Sequence, residues 1–537
     1  MQCIHLFGGD IQSELLPSIS ERRRSKRADE LIKVLMRRAG GTYSKYNYQD
    51  NIHLSYIKSS FSGKNLKLKD WIKILCNPQI NNYRSTRFDS KKGIYLDISL
   101  ERFVECFQDF VAVSPVDITN YLCDENNVIP QTIFIDAYFR GVSCSKISIN
   151  EESFEKVIRR FGYDYESERA ADIARIIEKM DTIKNKIFFA DILWDIIENH
   201  NETSRNEQIY NSSYENEEKS SESILFRAMN CVRGNAIHAI ASMICDDKNI
   251  FENYKTKIEA VASNMDPVIR CASLDMLLEI YNYDKRWAMK HILKVFESDI
   301  RLVAYRHSRT IFCKCYDDYP RRIKKLIMKA LGSSDECLKK IASYTVTELF
   351  MLNIAFKNLY KLYIKADVKQ KGYMLEMVMI YLEIENYKKK AKSLLEKIIV
   401  KDNDIDNNLI WAKLFMEKLV NTEDDKELIV KVLRSKHKKN VMFAFADFVI
   451  EERTAMEYSN VILEVCYSFI ENQNEIKNIW EVSDDIIKLI FYLYDETANS
   501  SIEEEKLIAN NCLDLWDKMY ENNISIACSL TDKFTAS

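Results

Sequence analysis

Seven histidines, fourteen cysteines and three basic clusters are the residues of this chain with chemistry to offer. His5, His53, His200, His238, His291, His307 and His437 stand apart, and none completes HExxH or another metal-ligand spacing. His238, set among alanines in "CVRGNAIHAIASMI", reads as a satisfied packing residue. Cys313 and Cys315 in "FCKCY" are a close thiol pair, but residues two apart on a helix point to different sides and do not readily share a metal. Most other thiols sit in apolar runs, as Cys106 does in "RFVECFQDF" and Cys466 in "VILEVCYSFI". That pattern fits free cysteines in a reducing cytoplasm better than a disulfide framework. The nearest approach to a phosphate loop, "SSFSGKNLK", has Asn65 after Lys64 and lacks the first glycine and the Mg²⁺-binding hydroxyl of GxxxxGK[ST]. No GxSxG, dinucleotide-binding glycine pattern or kinase signature is present. Glu503 and Glu504 lie in a charge run, which reads as a solvated helix face. The expectation is a chain with no catalytic, cofactor-binding or metal residues, which alone neither binds nor hydrolyses ATP.

The basic residues offer binding rather than catalysis. "ERRRSKR" (21–27), "YKKKAK" (387–392) and "RSKHKKN" (434–440) have the composition for phosphate contacts. Helix C-termini, which favour cations, explain them equally well. Four arginines, Arg233, Arg270, Arg301 and Arg306, are the candidate partner-binding residues. A structural role, bonding one repeat to the next, is the favoured reading of the first three. The formal net charge of −4 gives no global reason to expect nucleic acid or an acidic membrane.

The elements that position these residues are helices. A length of 537 residues exceeds one compact core, and 47% hydrophobic with 29% charged residues describes a folded chain. Only 11 Gly and 6 Pro are present, none of the Pro beyond Pro320, so long uninterrupted helices follow. No apolar run approaches the ~20 residues that span a bilayer. The N-terminus "MQCIHLFGGDIQSELL" lacks a basic leader and long apolar stretch, so a cytoplasmic location is expected.

Residues 1–198 read as a mainly helical region. "RADELIKVLMRRAGG", "LKDWIKILCNP", "SLERFVECFQDFVAV", "EESFEKVIRRFG", "ERAADIARIIEKM" and "NKIFFADILWDIIENH" carry the helical period. The polar stretch "QINNYRSTRFDSKKGIYLDI" holds a short strand at "GIYLDI". Residues 199–223, Asn/Ser/Glu-rich, form a solvated loop or linker and mark the organisational boundary. Helices follow to the end. Tyr254, Ile258, Val261 and Met265 share one face, Pro320 and Gly332 bracket another helix, and Ser501 with Glu504 forms a capping-box signature.

Four segments after the linker align: "CVRGNAIHAIASMI", "VIRCASLDMLLEI", "DIRLVAYRHSRTI" and "CLKKIASYTVTELF". Each pairs an aliphatic with a basic anchor: Val232–Arg233, Ile269–Arg270, Ile300–Arg301 and Leu338–Lys339. Three past the anchor the residue is small (Ala236, Ser273, Ala304, Ala342), and ten past it is apolar (Met243, Ile280, Ile311, Leu349). Seven past it, Ile240, Leu277 and Val346 are apolar, whereas Ser308 is not. The anchors recur at intervals of 37, 31 and 38 residues, the length of a helix pair with its turns. A small residue within the apolar face lets a neighbouring backbone come close, so Ala236, Ala304 and Ala342 are placed at tight helix contacts.

These segments resemble HEAT and armadillo-type repeats, whose second helix opens with an acidic cap, a Val-Arg-like pair and small residues. "DPVIRCAS" follows that order, with Asp266 as cap and Pro267 in the first turn. Asp299 and Asp335 precede the later anchors, while "MNCVRG" lacks the acidic cap. The resemblance covers about residues 224–352 and implies an all-α fold, an α-solenoid of stacked antiparallel helix pairs. That array would continue through 353–537 behind the irregular, mainly helical region 1–198. Over the whole chain, "GGTYSKYNYQ", "LKDWIKIL", "CVRGNAIHAIASMI" and "NNCLDLWDKMYENNISIACSLTDKF" resemble in order the C-terminal solenoid of large bacterial STAND-type NTPases linked to phage defence. Their ATPase module has no counterpart here. The resemblances imply a non-catalytic scaffold or sensor arm with a protein partner and no membrane contact. The alternative is a HEAT-like enzyme that cradles DNA and excises bases, which would expose Trp287 or Trp411 beside an Asp in a positive cleft.

Overall fold

The structure is a computed structural model that describes residue 26 and residues 66–77, 84–89, 94–127, 131–162, 169–180, 182–200, 220–402, 408–471 and 480–522. The "RADELIKVLMRRAGG" helix, the "ERRRSKR" cluster apart from Lys26, Lys64 and most of the 199–223 segment lie outside the described residues. The chain divides into two compact units, one of residues 1–66 and 77–106, the other of 67–76 and 107–537.

In the first unit, β1 (Arg84–Asp89) and β2 (Ile94–Ser99) form an antiparallel hairpin in the register Arg84↔Ser99 to Asp89↔Ile94. β2 is the strand expected at "GIYLDI". Its partner "RSTRFD" lacks apolar alternation, so nothing in its pattern announced a strand.

Apart from that hairpin the described chain is helical, and the fold is all-α. The elements are α1 (Leu68–Leu75), α2 (Leu100–Val113), α3 (Pro115–Cys123), α4 (Thr132–Cys144), α5 (Glu151–Phe161), α6 (Arg169–Glu178) and α7 (Lys186–Asn199). After the polar segment come α8 (Ser221–Asn230), α9 (Val232–Asp246), α10 (Lys248–Ala262), α11 (Pro267–Ile280) and α12 (Lys285–Ser298). A 3₁₀ helix (Ile300–Ala304) leads to α13 (Ser308–Cys315), α14 (Pro320–Leu331), α15 (Glu336–Met351), α16 (Leu359–Lys365), α17 (Val368–Ile380) and α18 (Glu385–Ile399). The remainder is α19 (Asn408–Met416), α20 (Lys426–Leu433), α21 (Lys438–Glu451), a 3₁₀ turn (Ala455–Tyr458), α22 (Ser459–Glu471), α23 (Trp480–Thr497) and α24 (Glu503–Glu521). No described helix is long and apolar enough to cross a membrane.

Packing in the second unit runs in two rows. Alternate helices meet in one row as α4–α6–α9–α11 and, after the 3₁₀ helix, as α13–α15–α17–α19–α21–α23. The other row contains α7–α10–α12–α14 and then α16–α18–α20–α22–α24. Helix α9 joins α6 and α7 to α11, so packing is continuous across the 199–223 segment.

Helix α9 shows why its sequence is small. Gly234, Asn235, Ala236, Ile237, Ala239, Ile240, Ala241, Met243 and Ile244 are all buried, on every side of the helix, against α6, α7, α8, α10 and α11. A Cβ on Gly234 would stand 2.1 Å from the Ala228 carbonyl oxygen of α8, so a side chain there is excluded. The expected buried register holds at each repeat. Ala236, Ala304 and Ala342, then Ile240, Leu277, Ser308 and Val346, then Met243, Ile280, Ile311 and Leu349, are all buried.

Cap chemistry follows the residues. Asp266 accepts from Val268 N with Pro267 opening α11, and Asp335 accepts from Leu338 N at the start of α15. Three expectations are corrected. Met265 lies beyond the end of α10 and is 96% exposed, because the helix stops at Ala262. Helix α24 begins at Glu503 after Ile502 with no side-chain cap; Ser500 Oγ accepts from Ile502 N, and three first-turn glutamates complement the helix dipole. The third repeat helix is broken, since Tyr305 turns extended (φ −51°, ψ 135°) and α13 restarts at Ser308.

One terminus in the N-terminal part is finished from outside. The Arg160 guanidinium of α5 donates to the carbonyl of Leu122 (2.9 Å) in the last turn of α3 and to those of Asp124 (2.5 Å), Glu125 (3.4 Å) and Asn127 (2.7 Å) beyond it.

Candidate interaction surface on the second-helix row

Five residues past each anchor the four repeats carry His238, Asp275, Arg306 and Tyr344. Because successive repeats share a register, side chains from separate helices meet here. His238 Nδ1 of α9 lies 2.8 Å from Asp275 Oδ2 of α11. Tyr305 and Arg306 follow the 3₁₀ helix and both donate to Asp275 Oδ1, at 2.5 and 3.2 Å. The helix break therefore delivers a hydroxyl and a guanidinium to one carboxylate. His238 Nε2 is buried and makes no hydrogen bond among the described residues.

The electrostatics follow from burial and pairing. Burial opposes the charged form of Asp275, but the His238 hydrogen bond and charge, with Tyr305 and Arg306, outweigh it and hold the carboxyl below its ordinary range. Burial likewise opposes the imidazolium of His238, and Asp275, joined by Glu178, outweighs it and lifts the pKa. Burial, then the charge of Asp275, pushes the Tyr305 phenol upward and the neighbouring Cys271 thiol to about 12, so that thiol is no nucleophile.

The polar line extends both ways. Arg175 Nε donates to Asn235 Oδ1 (3.1 Å), and Asp172 accepts from Ser143 Oγ (2.9 Å). Arg309 pairs with Glu348 (3.0 Å), and Tyr344 OH donates to Glu376 (2.7 Å). Lys340 lies 5.9 and 5.7 Å from the rings of Tyr344 and Tyr373, which meet edge to face.

The four arginines divide. Arg233 Nε donates to Ile197 O at the end of α7 (2.7 Å). Arg270 donates to Asn264 O (2.6 Å) and Met265 O (2.8 Å), closing the turn before α11, and lies 3.8 Å from Asp299. Arg301 forks onto Asp299, Nε to Oδ1 at 3.0 Å and Nη2 to Oδ2 at 2.7 Å. Lys339 repeats the link from one repeat to the next cap, bonding Asp367 at 2.6 Å. Arg306 differs, with 59% of its side chain exposed above Asp275. The cluster around Asp275 was missed because His238 reads as packing when taken alone. The signal was its register with three other polar residues.

In the two described basic clusters, 387–392 and 434–440, several side chains are engaged in the fold. Lys390 donates to Asn353 and to the Phe350 carbonyl at the end of α15, and Lys392 pairs with the buried Asp425. Arg434 forks onto Glu464, Lys438 donates to Ser468 (2.7 Å), and His437 is buried against Asp402. Trp411 is fully buried, its indole donating to Asp402 Oδ2 at 2.9 Å. Trp287 is half-buried between Phe251 and His291. Cys315 bonds Tyr281 OH at 3.3 Å, while the half-buried Cys313 faces Glu348. No protein-family model matches the chain, and no curated protein matches it either.

Proposed function

We propose that the chain is a non-catalytic α-solenoid of the HEAT and armadillo type, a scaffold or sensor arm that holds a protein partner on its second-helix row. The observation that carries this reading is the recurrence of one junction. The anchor of one repeat reaches the cap of the next at Arg270–Asp299 and at Lys339–Asp367, the latter between α15 and α17, which pack as alternate helices. Stacking of that kind produces an extended surface without a cofactor. Arg306, exposed above a buried acceptor, is the contact residue, whereas Arg233, Arg270 and Arg301 bond within the array. The resemblance to STAND-type proteins supports a place in a bacterial NTPase-based defence system, with the nucleotide site on a separate module. Of the two aromatics that the base-excision alternative named, Trp411 is buried with Asp402, which weighs against it, while Trp287 is half-buried against Phe251 and His291.

The test is affinity capture from the producing cells with the full chain and with Arg306→Glu. A protein retained by the wild type and lost on charge reversal supports the scaffold. Retention of nucleic acid alone, released as salt is raised, overturns it in favour of the alternative.

A further inference from the structure

Helix α8 crosses the array instead of joining its rows. Its ten residues pack against α9, α11, the Ile300–Ala304 helix and α15, four consecutive repeats. At its N-terminus, Ser221 N and Oγ donate to Asp335 Oδ2 and Oδ1 at 2.8 and 2.7 Å. Asp335 also caps α15 through Leu338 N. At the other end Cys231 alone separates α8 from α9, in extended conformation (φ −73°, ψ 157°).

The hold is thin. Ser221, Ile224 and Ala228, three and four apart, are the buried stripe; Ile224 is its one large buried side chain, with Leu225 half-buried beside it. Phe226 and Met229 are 52% and 53% exposed. A helix of ten residues does not persist alone in water, so α8 is folded by the surface beneath it. That surface keeps its own partners when α8 leaves. Asp335 still caps Leu338, Arg301 still forks onto Asp299, and Arg270 still closes its turn.

The geometry points to a helix-receiving strip along α9, α11, Ile300–Ala304 and α15, occupied by α8 of the same chain and open to a partner's helix of the same kind. That partner is an amphipathic helix with the spacing Ser-x-x-Ile-x-x-x-Ala, its N-terminal hydroxyl donating to Asp335. Release of α8 hinges at Cys231. The partner's role rests on the scaffold reading; the displaceability of α8 does not.

Two variants of the full chain set the strip open or shut. Ile224→Asp puts a carboxylate where α8 buries its large anchor and releases the helix, while every residue of the strip beneath is kept. Ser221→Cys stands within reach of the native Cys337, which lies in hydrogen-bonding contact with Ser221, and oxidation locks α8 down. Hydrogen exchange should be about tenfold faster in residues 221–230 than in α9, faster still in Ile224→Asp, and suppressed in the oxidised lock. A labelled peptide of residues 219–231, which keeps Ile224, should bind the Ile224→Asp chain at least about tenfold more tightly than the locked chain. Equal exchange of α8 and α9 in the wild type and Ile224→Asp overturns the inference, as does equal peptide binding, or none, to the open and locked chains. The scaffold reading is decided separately, by capture with Arg306→Glu.

Discussion

The second and third repeats start from the same chemistry and end differently. Asp266 caps α11 and Asp299 caps Ile300–Ala304, and each is followed by an aliphatic–arginine pair. α11 then runs unbroken for fourteen residues, whereas the third repeat leaves the helix at Tyr305 after five. Position seven past the anchor is Leu277 in one and Ser308 in the other, both buried, and Ser308 Oγ makes no hydrogen bond among the described residues. Weakened apolar pull at that point leaves room for a competing polar contact, the Tyr305 hydroxyl on Asp275. Repeat register is thus a balance between core packing and local hydrogen bonding, and one buried carboxylate tips it.

Removing that carboxylate is the strongest way to break the contrast. Asp275→Ala strips the shared acceptor from His238, Tyr305 and Arg306 and should destabilise the chain by about 3 kcal/mol in urea unfolding. A loss below about 1 kcal/mol would show that the cluster does not hold the broken repeat in place. Next come the small residues. Ala236→Leu and Ala342→Leu should each overpack by about 1–3 kcal/mol, and Ala304→Leu less, since a broken helix yields more readily. Unchanged melting in all three would refute the repeat register. Tyr305→Phe deletes one hydrogen bond and should cost about 1 kcal/mol, with the third repeat alone gaining hydrogen exchange.

The smallest effect is on pH. The pKa of His238 is raised in the fold, so its contribution is fully present below the unfolded value near ~6.5 and is lost as pH rises through the folded value. Asp275 is lowered, so its contribution holds above ~3.9 and is lost as pH falls through its own folded value. The stability gap between wild type and His238→Gln should therefore narrow from about pH 6 to about pH 9. A gap that widens over that range would contradict the pairing.

What was legible in the residues was mostly local. Asp266, Asp299 and Asp335 as caps, Pro320 to Gly332 as a helix, and the buried positions three, seven and ten past each anchor depend on neighbours a few residues away. The face drawn through Tyr254, Ile258 and Val261 is buried, but Met265 overshoots it because periodicity does not say where a helix stops. Long-range choices stayed hidden. Ser221 bonds Asp335 across 114 positions, and no spacing rule connects a polar linker's edge to a distant cap. The Asp275 cluster fell between these cases, since its members share a register but become a site only when one helix breaks.

Arg160 carries a consequence for the order in which the N-terminal part folds. The carbonyls at and beyond the end of α3 are answered by a guanidinium 33 to 38 residues downstream. Until α5 is synthesised and docked, that end of α3 frays, so α3 and α5 mature together as one cooperative piece. During synthesis the α3–α5 piece therefore acquires lasting order only after residue 160 has emerged, whatever propensity α3 carries by itself.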